Sequence, residues 1–148
     1  MVKFFIEGKP LGKQRPHPNT KTRVMYTPEK TKNYEEDVKI AYLAACNELK
    51  KTDKTEKYKW MGKEPLVIRI VAQFEIPKSY TKKRKAAIQQ GLDHPVIRPD
   101  ADNIAKIICD GLNKVAYHDD AQIIDVECTK VYAVGDEKEG VWVYLNEL

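Results

Sequence analysis

Between residues 66 and 76 the run LVIRIVAQFEI puts Ile68, Ile70, Ala72, Phe74 and Ile76 on one side of an extended chain, and Val67, Arg69, Val71, Gln73 and Glu75 on the other. That period of two predicts a strand buried on one face. VKFFIEG at 2–8 alternates in the same way and predicts an opening strand. Steps of three and four then take over. Tyr34, Val38, Tyr42, Cys46 and Leu49 form one apolar stripe on a helix that Thr27 can cap, that Pro28 can begin as its first residue, and that reaches about Leu49. A short basic helix fits 81–90, started by Thr81 and stopped by Gly91, and another fits 102–115 after Pro99. IIDVECTKVYAV at 123–134 and VWVYLNEL at 141–148 predict two further strands, joined as a hairpin through GDEKEG.

Two stretches fit neither period. KPLGKQRPHPNTKTRVMYTP holds too many Pro, Lys and Arg for buried regular structure and predicts a long exposed loop, and the residues at about 50–64 predict a flexible, lysine-rich connection. The element order βαβααββ, without internal repeats, is that of an α+β fold, a small mixed β-sheet with helices packed against it. At 148 residues the chain is expected to be one domain, 1–148, with a core of its own.

Composition narrows the class without naming the chemistry. Charged residues at 32% and hydrophobic ones at 42% are globular proportions. No apolar run nears the ~18 residues of a membrane span, and MVKFFIEGKP is too briefly apolar for a secretory signal, so no membrane partner and a cytoplasmic location are expected. Cys46, Cys109 and Cys128 are odd in number and far apart, which offers neither a disulfide framework nor a Cys-x-x-Cys zinc site. A net charge of +4 is only mildly basic. Its distribution says more: Lys and Arg crowd into 9–32, 50–63 and the KSYTKKRK stretch, while acids gather between Asp100 and Asp125. A basic surround with an acidic centre suits a nuclease that engages phosphates through a metal.

In the helix after Pro99, Ile104, Ile107, Ile108, Leu112 and Val115 commit one side to the core. Asp102, Lys106, Asp110 and Asn113 recur at steps of four, four and three on the other side, an arc of only ~80°. Asp100 stands just before the helix, and Asp119 and Asp120 come after it in YHDDAQI; a compact return to the sheet would bring Asp100, Asp102 and Asp120 together. Carboxylates so gathered raise one another's pKa and need a counter-charge. Oxygen donors without a His or Cys cluster favour Mg²⁺ or Mn²⁺ over Zn²⁺. Such an ion polarises a phosphodiester, and Lys106 would hold the phosphate or offset charge building on its oxygens. His118 reads equally as a ligand, a base or an exposed loop residue. A plainer reading of Asp100 and Asp102 also stands open here, since Asp-x-Asp-Asn before a helix is common capping chemistry, and Asp102 with Lys106 is an ordinary i,i+4 pair worth ~0.3–0.5 kcal/mol. Capping needs one acid, however, and five lie within this short stretch.

RPDADNIAKIICDGLNKVAYHDDAQI resembles the signature of the RusA family of Holliday-junction resolvases, Asp-x-Asp-Asn-x-x-Lys, an Asp and a Leu later in the helix, then Asp-Asp-x-Gln-Ile/Val. The matching residues are Asp100, Asp102, Asn103, Lys106, Asp110, Leu112, Asp119, Asp120 and Gln122. Lys130 suits the pattern too, and KQRP with the later YTP resembles the amino-terminal segments of phage and Gram-positive members. The resemblance implies a small homodimer that binds branched DNA, the four-way junction, and makes paired nicks with Mg²⁺, Mn²⁺ being a substitute. It implies Asp100, Asp102 and Asp120 as catalytic acids and metal ligands, Lys106 as the essential lysine, and Asp119 as a further ligand. Lys13, Arg15, Lys82, Lys83, Arg84 and Arg98 are the expected DNA-backbone contacts. Two features depart from the family: Pro99 stands where some members carry a basic residue, with Arg98 one place earlier, and the stretch 50–63 is longer than in compact members. Competing readings are a branched-DNA-binding protein that does not cleave, and a metal-dependent nuclease for flap or RNA substrates.

Overall fold

The computed structural model describes residues 1–148 except 15–16, 19–20, 22–24, 27 and 53–59. In chain order the elements are β1 (Val2–Glu7), β2 (His17–Pro18), β3 (Met25–Tyr26), α1 (Glu29–Thr52), β4 (Leu66–Phe74), α2 (Lys82–Gln89), α3 (Ala101–Leu112), β5 (Ile123–Tyr132) and β6 (Gly140–Glu147). The α+β class and the order of the main elements are as expected. Within the loop expected at 9–28, β2 and β3 pair as a two-residue antiparallel ribbon.

The sheet runs β1-β6-β4-β5. Ile70 of β4 faces Val143 of antiparallel β6 on one side and Cys128 of parallel β5 on the other. The expected β5–β6 hairpin is therefore wrong, because β4 lies between its two strands. Burial accounts for the difference. Val141, Val143 and Leu145 of β6 are fully buried, whereas Ile124 and Val126 of β5 remain 59% and 48% exposed, so β6 takes an inner place and β5 the edge. Residues 133–139 carry the chain across the end of β4, where Ala133 N donates to Phe74 O at 2.8 Å. Gln73 Nε2 donates to Lys138 O at 2.9 Å, which satisfies the one side chain of β4's polar face that is nearly inaccessible, at 4%.

The inward faces of β1, β4 and β6 meet the stripes of α1 and α3 in a common core. Tyr34, Val38, Tyr42 and Cys46 are buried along α1 as their spacing predicts. Pro28 sits one place earlier than expected, outside the helix, its carbonyl accepting from Thr31 N and Lys32 N; the expected cap Thr27 lies outside the described residues. Helix α3 stops at Leu112 rather than 115, since Asn113 is extended and Lys114 turns the chain at a φ of 65°. Gly111 lets the two helices touch: a Cβ there would lie 2.9 Å from Val38 Cβ. That close approach brings Glu35 of α1 alongside Asp110 of α3.

The lysine-rich connection divides into three. Residues 50–52 continue α1 and 53–59 lie outside the described residues, while 60–64 are tied to the segment after α3, with Met61 N donating to Ala116 O at 2.7 Å and His118 N to Gly62 O at 3.1 Å. Among the described residues no helix is long and apolar enough to cross a membrane.

Candidate active site

The polar face of α3 and the turn before β5 enclose an open cavity of about 240 Å³, lined by Asp102, Ala105, Lys106, Cys109, Asp120, Ile123 and Val126. Local chemistry brings Asp120 there. Tyr117, buried, donates its hydroxyl to Cys109 O at 2.6 Å and pins the returning chain to α3. Asp119 then caps a short 3-10 turn, its Oδ1 accepting from Ala121 N at 2.9 Å while Gln122 Oε1 accepts from Asp119 N at 3.0 Å. Gln122 also donates through Nε2 to Glu64 O at 2.8 Å, which fixes the turn from outside. The compact return expected from the sequence is present, and Asp120 Oδ2 ends 3.5 Å from Lys106 Nζ.

Asp100 occupies the N-cap position of α3, yet its side chain makes no capping hydrogen bond. Its carbonyl alone serves the helix, accepting from Ile104 N at 3.0 Å. The plain capping reading therefore fails for this carboxylate, which opens instead onto a neighbouring pocket at the start of α3.

Five side chains of alternating charge run from α1 into this site. Lys13 Nζ bonds Glu35 and lies 3.1 Å from Asp110 Oδ2; Asp110 Oδ1 lies 2.9 Å from Lys106 Nζ, which reaches Asp120. The hydrogen bond to Asp110 is the main cause that holds the Lys106 ammonium above its ordinary pKa. For Lys13 burial works against the charge, but hydrogen bonds to Glu35 and then Asp110 outweigh it and raise the pKa. Burial, with the charges of Asp120 and Asp110 added, pushes the Cys109 thiol up to about 12, so it lines the cavity as a neutral wall. Glu35 escaped the sequence reasoning; its one signal was Gly111, a helical glycine with no turn to make, which marks a close approach by another element.

The remaining expected residues separate by their surroundings. Lys13, expected on DNA, is 19% exposed and held by two acids. Arg84 lies over the Tyr80 ring at 3.7 Å and donates to Asp93 at 2.9 Å, so it braces α2 against the chain that follows. Lys82, Lys83 and Arg98 are exposed and form no ion pair with a described residue, and Arg15 lies outside the described residues. Asp119 has its carboxylate on the backbone of its own turn, which holds its pKa below the ordinary range and gives it a place in positioning Asp120. His118 is exposed and lines neither cavity. Lys130 donates to Ile97 O and so steadies the approach to α3.

Among the described residues no three His, Cys, Asp or Glu side chains are gathered closely enough, as they stand, to hold a metal ion. The donor chemistry nonetheless fits a hard divalent cation: Asp102 and Asp120 share one cavity, Asp100 opens beside it, and all three offer carboxylate oxygens.

Comparison with known proteins shows the family of the chain. A protein of Bacillus subtilis (strain 168) named "Uncharacterized protein YqaN" is 28% identical over 149 residues, spanning 99% of this chain and 96% of that protein. The family "Endodeoxyribonuclease RusA" matches residues 7–143. Nucleases of this family act on branched DNA junctions and are in general dependent on a divalent metal. Matched from the end of its first strand into its last, the chain belongs to the RusA family of Holliday-junction endodeoxyribonucleases.

Proposed function

We propose that this protein resolves four-way DNA junctions as a homodimer, by paired symmetric nicks made with Mg²⁺, and that Asp100, Asp102, Asp120 and Lys106 do the chemistry. The observation that carries this reading is the meeting of Asp102, Lys106 and Asp120 in one cavity although 17 residues stand between the outer two. A divalent ion held by the three carboxylates would supply Lewis acidity to the phosphodiester and acidify a water for in-line attack. Lys106 donates to a non-bridging oxygen of the phosphate and offsets the charge that builds there. Asp110, anchored by Lys13 on its other oxygen, keeps that ammonium charged and aimed. Asp119 and Gln122 hold the turn that presents Asp120.

Two symmetric cuts need two sites related by a twofold axis. The open edge of β5 supports a partner chain, because an exposed apolar strand edge invites pairing and Ile124 and Val126 lie exposed along it. The whole chain then acts as one nuclease domain, and its similarity to a Bacillus protein supports a Gram-positive or phage setting with DNA in the cytoplasm as substrate.

The test is cleavage of a synthetic four-way junction with Mg²⁺ or EDTA, with nicks mapped on all four arms and flap, duplex and RNA substrates run at matched salt. Paired nicks at equivalent positions, with Mg²⁺ only and on the junction in preference, are expected. A shifted junction with no nicked product would mark a binder, and equal cutting of flap or RNA would mark a broader nuclease. Asp102→Asn is expected to cut at least about 10²-fold more slowly while still binding the junction; normal cutting by this variant refutes the site. Ile124→Lys is expected to halve the mass seen by light scattering, and an unchanged dimer removes the β5 edge as the contact.

A further inference from the structure

A second concave feature beside α3, larger than the acidic cavity, is a pocket of about 380 Å³ at the helix's amino-terminal end, lined by residues 9–14, Lys30, 98–100 and Asn103. Its floor is closely fitted. A Cβ on Gly12 would fall 2.8 Å from Pro99 Cβ and 3.0 Å from Asn103 Cβ, and Lys13 N donates to Asn103 O at 2.8 Å. The β1–α1 connection is thus laid directly on the first turn of α3. Of the four cations that line it, Lys13 is held by Glu35 and Asp110, while Lys9, Lys30 and Arg98 are exposed and none of these three is in an ion pair with a described residue. Pro10, Leu11 and Pro99 supply apolar surface between them.

We propose that this pocket is a cradle for one backbone phosphate of the DNA strand being cut, a neighbour of the scissile one, with the attached deoxyribose against Pro10, Leu11 and Pro99. The inference rests on the nuclease reading above and extends it by assigning a second phosphate site and a path for the strand. Asp100 lines this pocket and Asp102 lines the acidic cavity, so the two spaces adjoin across two residues of one chain turn. A strand with one phosphate at Lys106 and a neighbouring one among Lys9, Lys30 and Arg98 crosses that turn. Uncompensated cations suit such contacts, since each phosphate they neutralise releases counterions. Asp100 is the single acid on the wall, and its repulsion of a phosphate weakens when a divalent cation neutralises it; the cradle therefore binds more tightly with Ca²⁺ than with EDTA.

The test measures junction binding apart from cleavage, by fluorescence anisotropy in EDTA and in Ca²⁺ over a range of salt, for wild type, Lys9→Ala/Lys30→Ala and the control Lys51→Ala. Both cradle lysines are exposed, and a matching circular-dichroism melt checks that the double variant folds. The slope of log affinity against log salt is expected to fall by about one or two units in the double variant. A methylphosphonate placed in turn at each position around the cut is expected to weaken wild type and Lys51→Ala about five- to tenfold at one flanking position, and the double variant, which keeps only Arg98 in the cradle, by no more than about twofold there. A wild-type salt slope in the double variant, or the same methylphosphonate penalty in it, overturns the cradle while leaving cleavage intact. A wild type that neither binds nor cuts the junction overturns the nuclease reading and the cradle together.

Discussion

Two sets of cations flank α3 and differ in their company. Lys13 and Lys106 lie beneath its polar face, each between two carboxylates, whereas Lys9, Lys30 and Arg98 ring its amino-terminal end without an acid partner among the described residues. A lysine between two acids is fixed in place and its charge is already answered. It can meet a phosphate only by releasing a partner. A lysine without an acid keeps its field for the substrate and gives up order instead. Within the first set the two members also differ. Lys13 is 19% exposed and holds both partners closely, while Lys106 is 55% exposed and reaches Asp120 only at 3.5 Å. Lys106 is therefore the member free to turn toward DNA, and Lys13 the one that keeps Asp110 in place for it.

The largest expected effect breaks the set at Lys106. Lys106→Met should slow single-turnover junction cleavage by about 10²- to 10³-fold, the usual scale for losing a preorganised donor to a developing charge. Junction affinity in EDTA should stay within about twofold. Asp110→Asn leaves Lys106 charged but frees one end of its tether, and a loss of about tenfold is expected in rate rather than in binding. If the two variants lose affinity and keep their rate, Lys106 belongs with the binding cations and the distinction drawn here collapses.

How far the sequence foretold this arrangement depended on whether the signal was local. Strand β4, the stripes of α1 and α3 and the Thr81 cap of α2 followed from periodicity and capping, because each is decided by neighbours in the chain; Thr81 does accept from Arg84 N at 3.2 Å. The β5–β6 hairpin failed because strand order depends on which faces of distant elements are most apolar, and a seven-residue connection can cross a strand end as readily as form a turn. At the site, Asp102, Lys106 and Asp120 were legible together because helix geometry aligns the first two and a tight return delivers the third. The ion pairs of Lys13 were not legible from its basic neighbourhood. Its real setting depends on Glu35, which is 22 residues away and on a different element, and on Gly111 for the helix contact that brings Glu35 near.

The smallest effect sharpens the comparison from the side of stability. Lys13→Met should leave Glu35 and Asp110 partly buried without their shared ammonium, at a cost of roughly 1–3 kcal/mol in urea unfolding and only a few-fold in cleavage rate. Adding Glu35→Gln should recover part of that loss, since one orphaned charge is removed with its partner. The pH dependence has a definite sign. The folded pKa of Lys13 is raised above its ordinary 10.5, so its contribution is complete below that value and is lost as pH rises through the higher folded value. The stability gap between wild type and Lys13→Met should hold steady from pH 7 to about 10 and narrow above it. A gap that stays constant to pH 12 would mean that Lys13 contributes through its methylene stem packed between α1 and α3, and that Asp110 holds Lys106 without a charged neighbour behind it.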